Sequence, residues 1–138
     1  MEKRNLGNTG TKVGALGIGA MSFSDFYGPT NTQESHAILK LALDSGVDHI
    51  DTAKVYGMGL SEERIGQFLN TLSPKDRQFF KLATKGGIDR KNFDDKGTVV
   101  FDNSKEFLTE ELNNSLKRLG VDCVELYYVH RREADRSI

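Results

Sequence analysis

Four polar side chains, Asp51, Tyr56, Lys85 and His130, each stand just past the end of an apolar run. Enzymes built on parallel barrels keep their reactive groups at the carboxyl ends of successive strands. An acid, a phenol, an ammonium and an imidazole gathered there point to proton transfer at a carbonyl oxygen. A carbonyl that accepts a hydride becomes an alkoxide and needs a proton. Tyr56 is the candidate general acid, yet a free phenol, with a pKa near ~10, donates sluggishly at neutral pH. A neighbouring ammonium favours the phenolate, and Lys85 is the candidate for that task. Asp51 would pair with Lys85 and keep it protonated. His130 would donate a hydrogen bond to the substrate oxygen as charge develops on it.

Taken singly, each residue has an ordinary structural reading. Asp51 would cap a helix or close a turn. Tyr56 would be a half-buried phenol, Lys85 a solvated lysine before Gly86-Gly87, and His130 a structural hydrogen bonder. The joint placement at adjacent strand ends favours a site. Other motifs carry less. Gly17-Ile18-Gly19-Ala20-Met21-Ser22 lacks the third glycine of a dinucleotide fingerprint. No Gly-x-Ser-x-Gly nucleophile motif occurs. No Cys/His group has metal-ligand spacing, and Asp94-Asp95 reads as a solvated loop pair rather than a metal site. His36 reads as exposed and His49 as structural.

The elements that must position these residues alternate. Lys3 to Val13 reads as a short hairpin turning at Gly7-Asn8-Thr9-Gly10. Ala15 to Gly19 is the first buried strand. A helix is predicted from about Thr32 to Ser45, with Asn31 and Glu34 forming a variant capping box and Gly46 as its stop. Ala37, Ile38, Leu41 and Ala42 are its expected apolar stripe. Val47 to Ile50 is a second strand. A second helix, about Ser61 to Leu69, buries Ile65, Phe68 and Leu69. Ser73-Pro74 breaks the chain before a third strand near Phe79 to Thr84. A third helix runs from about Lys105 to Leu119, with Leu108, Leu112, Leu116 and Leu119 inward and Gly120 at its end. Val124 to Val129 is the fourth strand. Residues 86–103 read as an irregular loop flanking the ligand site. Strand and helix in alternation imply a parallel sheet with right-handed crossovers. The fold class expected is α/β, the N-terminal half of a (β/α)8 barrel preceded by a β-hairpin. An open doubly wound sheet is the alternative.

Asp51-Thr52-Ala53-Lys54-Val55-Tyr56-Gly57-Met58-Gly59-Leu60-Ser61-Glu62 resembles the signature of the aldo-keto reductase family. Lys81-Leu82-Ala83-Thr84-Lys85 resembles that family's third strand, and Leu126-Tyr127-Tyr128-Val129-His130-Arg131 its fourth. Ala15 to Met21 resembles its first. The resemblance covers residues 1–138 as a single partial barrel of about four βα units, the N-terminal half of a usual member. It implies reduction of aldehydes or ketones to alcohols with NADP(H), NAD(H) remaining open, and Tyr56, Lys85, Asp51 and His130 as the catalytic tetrad. It further implies that Gly19, Ala20, Met21 and Asp51 line the nicotinamide side. Ala20 departs from the threonine or cysteine often found at its position. The family holds the rest of the cofactor mostly with its second half, so the 138-residue chain by itself is expected to be inactive. The same fold serves potassium-channel β subunits, which leaves a nicotinamide-binding regulatory subunit as the alternative function.

Composition narrows the partners. With 37% hydrophobic and 28% charged residues, the sequence can build a core and is not a disordered chain. A net charge of −1 and no basic block argue against nucleic acid and anionic membranes. No apolar run approaches a bilayer span, and the N-terminus lacks a signal peptide's apolar stretch. One cysteine, Cys123, cannot form an intramolecular disulfide, so a cytoplasmic home is expected, and its apolar surroundings predict a packed thiol. A small carbonyl compound is the expected substrate. The open edges of the first and fourth strands predict self-association.

Overall fold

The computed structural model describes residues 1–93 and 99–133, with the backbone alone at 91–93. Asp94-Asp95 lies outside the described residues. The hairpin is formed by β1 (Lys3–Asn5) and β2 (Lys12–Gly14), which pair antiparallel. Asp48 fastens it to the body by accepting from the Gly14 amide at 2.6 Å and pairing with the Lys3 ammonium. Burial pushes the Asp48 carboxyl up, but Lys3 and the Gly14 amide outweigh it and hold the group below the usual carboxylate range.

Four parallel strands form the centre: β3 (Gly17–Gly19), β4 (His49–Asp51), β5 (Lys81–Gly86) and, after a second hairpin described below, β8 (Leu126–Val129). Their order in the sheet follows the chain, β3-β4-β5-β8, and all three pairings are parallel. β3, β4 and β8 are shorter than the apolar runs predict, and β5 starts and ends two residues later than expected. Ala15 and Leu16 are bends, and Val47 and Val124 precede their strands. Ala15 and Leu16 are exposed while Val47 and Val124 pack against the core, so an apolar run marks neither the pairing nor the burial residue by residue.

Helices make the crossovers. They are α1 (Thr32–Ser45), α2 (Leu60–Asn70), the short α3 (Pro74–Phe79) and α4 (Lys105–Leu119). The sequence reading passed over α3 because Ser73-Pro74 looked like a break; Ser73 instead caps a helix whose first residue is Pro74. The predicted capping box is present at α1, where Asn31 accepts from the Glu34 amide at 2.8 Å and Glu34 returns a bond to the Asn31 amide. Gly46 and Gly120 end α1 and α4 in the left-handed conformation that glycine adopts without steric cost.

Ile50, Leu82, Leu39, Ile65, Phe68, Leu69 and Leu119 build one core between sheet and helices. The inward face of α1 differs from the expected stripe. Ser35, Leu39 and Ala42 are buried, whereas Ala37, Ile38 and Leu41 are exposed. In α4 the buried positions are Glu111, Ser115 and Leu119, with Leu108, Leu112 and Leu116 only half-buried. Each of these polar groups has a partner that apolar periodicity cannot register: Ser35 the Asn31 carbonyl, Glu111 Lys54 and the Gly87 amide, and Ser115 Arg118.

Three further expectations fail. Residues 86–103 are not an irregular loop throughout: β6 (Ile88–Phe93) and β7 (Val99–Phe101) form an antiparallel hairpin with a register shift. Cys123 is exposed rather than packed. His36 is half-buried, with its ring on Phe68 and Nε2 3.0 Å from the Arg64 carbonyl. His49 is structural as read, with Nδ1 3.1 Å from the Lys81 carbonyl.

Candidate active site

Strand register assembles the four candidate residues. In β4 and β5, Asp51 pairs with Ala83, so Lys85 lies one pleat further along the neighbouring strand, on the same face. Lys85 in turn pairs with Tyr128 of β8, and His130 follows two residues later on that face. Tyr56 comes from the kinked segment Tyr56–Gly59 between β4 and α2, where Gly57 and Met58 adopt left-handed backbone.

The Lys85 ammonium sits at the centre. It donates to Asp51 Oδ1, to the Thr52 carbonyl at 2.8 Å and to the Tyr56 hydroxyl oxygen at 3.3 Å. An ammonium has three protons, and all three have acceptors here. The Tyr56 oxygen therefore accepts from Lys85, and its own proton has no acceptor among the described residues. The His130 ring meets the Tyr56 ring edge-on, centroids 5.7 Å apart at 88°. Lys85 Nζ also lies 5.9 Å from the Tyr128 ring centroid. The whole predicted tetrad is thus brought together.

His130 titrates unlike a free imidazole. Burial pushes its pKa down, the Lys85 and Arg131 charges push the same way, and Asp51 opposes them only in part. Its ring is therefore neutral at pH 7 and carries a single N–H. Its Nδ1 is buried with no hydrogen-bond partner among the described residues. Such orphans are rare in folded proteins and concentrate where polar ligands bind.

Of the predicted cofactor-side residues, Gly19 pairs with Asp51 across β3 and β4. Gly19 is open, since a Cβ there would meet nothing within 4 Å. Ala20 is fully buried and Met21 half-buried in the turn that follows. A cleft of about 400 Å³ lined by Arg77, Phe80, Leu82 and Cys123 lies at the amino ends of β5 and β8, away from the tetrad. Among the described residues no group of three His, Cys, Asp or Glu side chains could hold a metal, and no helix is long and apolar enough to cross a membrane.

Sequence reading missed the Thr52 carbonyl, because a backbone acceptor leaves no mark on residue type. It missed Tyr128 as well, although alternation back from His130 places that ring on the site face.

A parallel α/β half barrel with this strand-end cluster defines a class, and comparison with known proteins gives the family. The aldo/keto reductase family profile matches residues 15–138. The chain belongs to the aldo/keto reductase family. It is 36% identical over 135 residues to the aldo-keto reductase yakc [NADP(+)] of Schizosaccharomyces pombe, covering 98% of this chain and 38% of that protein. It is 34% identical over 138 residues to a probable voltage-gated potassium channel subunit beta of Oryza sativa, covering all of this chain and 40% of that one. Among solved structures, the holo form of an aldo-keto reductase from Bacillus halodurans superposes with a TM-score of 0.76 at 34% identity, over 92% of this chain and 39% of its own. The chain thus spans well under half the length of these relatives.

Proposed function

We propose that this segment supplies the proton-transfer half of an NADP(H)-dependent carbonyl reductase. The observation that carries the reading is the Lys85 ammonium bonded to Asp51 and to the Tyr56 hydroxyl oxygen, with His130 against the Tyr56 ring. Tyr56 is the general acid that protonates the nascent alkoxide. Lys85, held by Asp51 and the Thr52 carbonyl, steadies negative charge on the phenol oxygen as its proton leaves. His130, neutral at pH 7, donates its N–H to the substrate oxygen. When bound, the nicotinamide supplies the hydride. The open backbone at Gly19 beside Asp51, with Ala20 and Met21 following, suits a flat ring approaching that side of the site.

The relatives named above include one marked for NADP(+) and one named as a channel subunit. A nicotinamide-binding regulatory subunit is therefore the second reading. Carbonyl-dependent oxidation of NADPH by a whole barrel carrying this segment separates the two. Tight NADPH binding without turnover on a panel of aldehydes and ketones would favour the regulatory role.

For the 138 residues alone we propose no measurable turnover, weak NADPH binding and self-association. β3 and β8 are the outer strands of the four-stranded sheet, and Leu16, Ile38, Leu41 and Val129 are exposed. Open edges and bare apolar surface favour pairing with a second half barrel. A monomer in sedimentation that binds NADPH tightly would contradict this.

A further inference from the structure

Behind the tetrad lies another buried charge pair, joined to it through the backbone. Lys54 and Glu111 meet at 2.6 Å, with side chains only 13% and 8% exposed. Neither was singled out by spacing or motif. What distinguishes the pair is the backbone it touches. The other Glu111 oxygen accepts from the Gly87 amide at 3.0 Å. That amide belongs to the Gly86–Gly87 peptide, whose carbonyl, on Gly86, accepts from the His130 amide at 2.8 Å. One peptide unit therefore leaves the end of the Lys85 strand, is gripped by Glu111 on its N–H, and holds the His130 backbone on its C=O.

Lys54 closes the arrangement from the third side. Its own amide donates to the Lys85 carbonyl at 3.2 Å, and its ammonium points at the Ile88 carbonyl, 3.5 Å away. It stands two residues before Tyr56. The space around the peptide is fully used: a Cβ on Gly86 would lie 2.0 Å from the Tyr127 hydroxyl and 3.1 Å from Glu111 Oε2. Tyr127 is itself fixed by its bond to the Leu108 carbonyl, 3.1 Å away on the helix that carries Glu111.

We propose that Lys54 and Glu111 are positioning residues for the candidate site: through the Gly86–Gly87 peptide they fix the segments bearing Tyr56, Lys85 and His130 relative to one another. The inference rests on the reading of those residues as a proton-transfer site, since without it the pair would position nothing reactive. A catalytic group displaced by ~1 Å can lose about 100-fold in rate, so a tie between three separate segments carries weight. Lys54 also gives the buried Glu111 carboxylate a paired charge while its other oxygen grips the amide.

The test is amide hydrogen exchange followed by NMR on the 138-residue chain, which needs no turnover. Glu111→Ala should speed exchange at Gly87 and His130 at least ~10-fold while leaving Ile50 in β4 and the centre of α4 unchanged. Glu111→Gln keeps an oxygen for the Gly87 amide and should restore most of its protection. Lys54→Met, with Glu111 in place, should loosen the same two amides to a smaller extent. The His130 ring resonances should shift in Glu111→Ala and return in Glu111→Gln, a signature that general destabilisation does not produce. Unchanged exchange at Gly87 and His130, or a uniform rise across the whole sheet, would overturn the proposal. In a whole barrel, Glu111→Ala should lower kcat with little change in KM. If Tyr56→Phe leaves turnover untouched while the exchange pattern holds, the chemical reading fails and the tie survives.

Discussion

Two of the carboxylate–cation pairs in this domain, Glu62–Arg118 and Asp51–Lys85, are finished differently. Glu62, wholly buried, gives one oxygen to the Thr84 hydroxyl at 2.6 Å and the other to Arg118 Nε at 2.7 Å. Arg118 also donates to Ser115 at 3.1 Å, so the bonds run from β5 through α2 and end in α4. Asp51 keeps 35% of its side chain exposed, and Lys85 spends its third proton on Tyr56. In the closed pair both carboxylate oxygens are taken up by structural partners, whereas the open one ends in a phenol whose proton has no acceptor among the described residues. An ion pair whose carboxylate is spent on structural partners fixes structure; one that leaves a proton to give can do chemistry.

The sharpest way to break the contrast is to remove that proton. Tyr56→Phe in a whole barrel carrying this segment should lower carbonyl reduction by about 100- to 10,000-fold, the usual worth of a general acid. NADPH affinity should change little, because the hydroxyl supplies a proton rather than binding energy. Near-normal turnover would move the acid to another group, His130 first. On the closed side, Arg118→Leu should act on stability. It strands Glu62 without its cation, and breaking a buried pair from one side typically costs about 3–5 kcal/mol. A urea unfolding midpoint within error of the parent would show that water or another donor replaces Arg118.

A smaller effect tests whether the open pair works as a unit. Lys85→Met and Asp51→Asn should each depress activity at neutral pH. Their combined loss should fall well short of the sum, with a coupling of about 0.5–3 kcal/mol. Additive losses in the double-mutant cycle would mean that Asp51 serves something other than Lys85.

The contrast also explains what could be read from residue types. Asp51, Tyr56, Lys85 and His130 were legible because a parallel sheet puts strand ends at one rim, and each residue closes an apolar run. The capping box at Asn31 and the stops at Gly46 and Gly120 were legible because their chemistry is local. The inner faces of α1 and α4 were not. Ser35, Glu111 and Ser115 are buried where an apolar stripe was expected; Ser35 bonds to the Asn31 carbonyl and Ser115 to Arg118 close by in the chain, while Glu111 is held by Lys54 and the Gly87 amide from distant segments. The hairpin of β6 and β7 was missed for a related reason. Ile88-Asp89-Arg90-Lys91-Asn92-Phe93 holds few apolar residues, so a pairing maintained by backbone bonds at the sheet's rim resembles a loop. Cys123 and His36 show the limit in reverse, since their exposure depends on neighbours brought in from elsewhere in the chain.

The smallest expected effect concerns His130, whose titration is displaced. Its folded-state pKa lies below the ordinary imidazole value of ~6.5 because burial and the Lys85 and Arg131 charges disfavour the imidazolium. The unfolded chain has no such penalty. As pH falls below ~6.5 the unfolded state takes up a proton at His130 before the folded state does, so stability must decline with falling pH. The decline runs from ~6.5 down to the folded pKa and stops there, because both states are then protonated. Above ~6.5 both are neutral and the contribution is flat. The ring is only half-buried, so the slope should be a fraction of the ~1.4 kcal/mol per pH unit that a whole proton would give. His130→Gln removes the titrating group and keeps a side-chain N–H donor. The difference between parent and variant in urea unfolding, taken from pH 8 to pH 5, should therefore shrink or reverse as the parent loses its share. His36 and His49 are present in both proteins and cancel in that difference. Parallel stability curves across the window would mean that His130 titrates as in the unfolded chain. The neutral imidazole proposed as the hydrogen-bond donor would then be partly charged at the lower end of the physiological range.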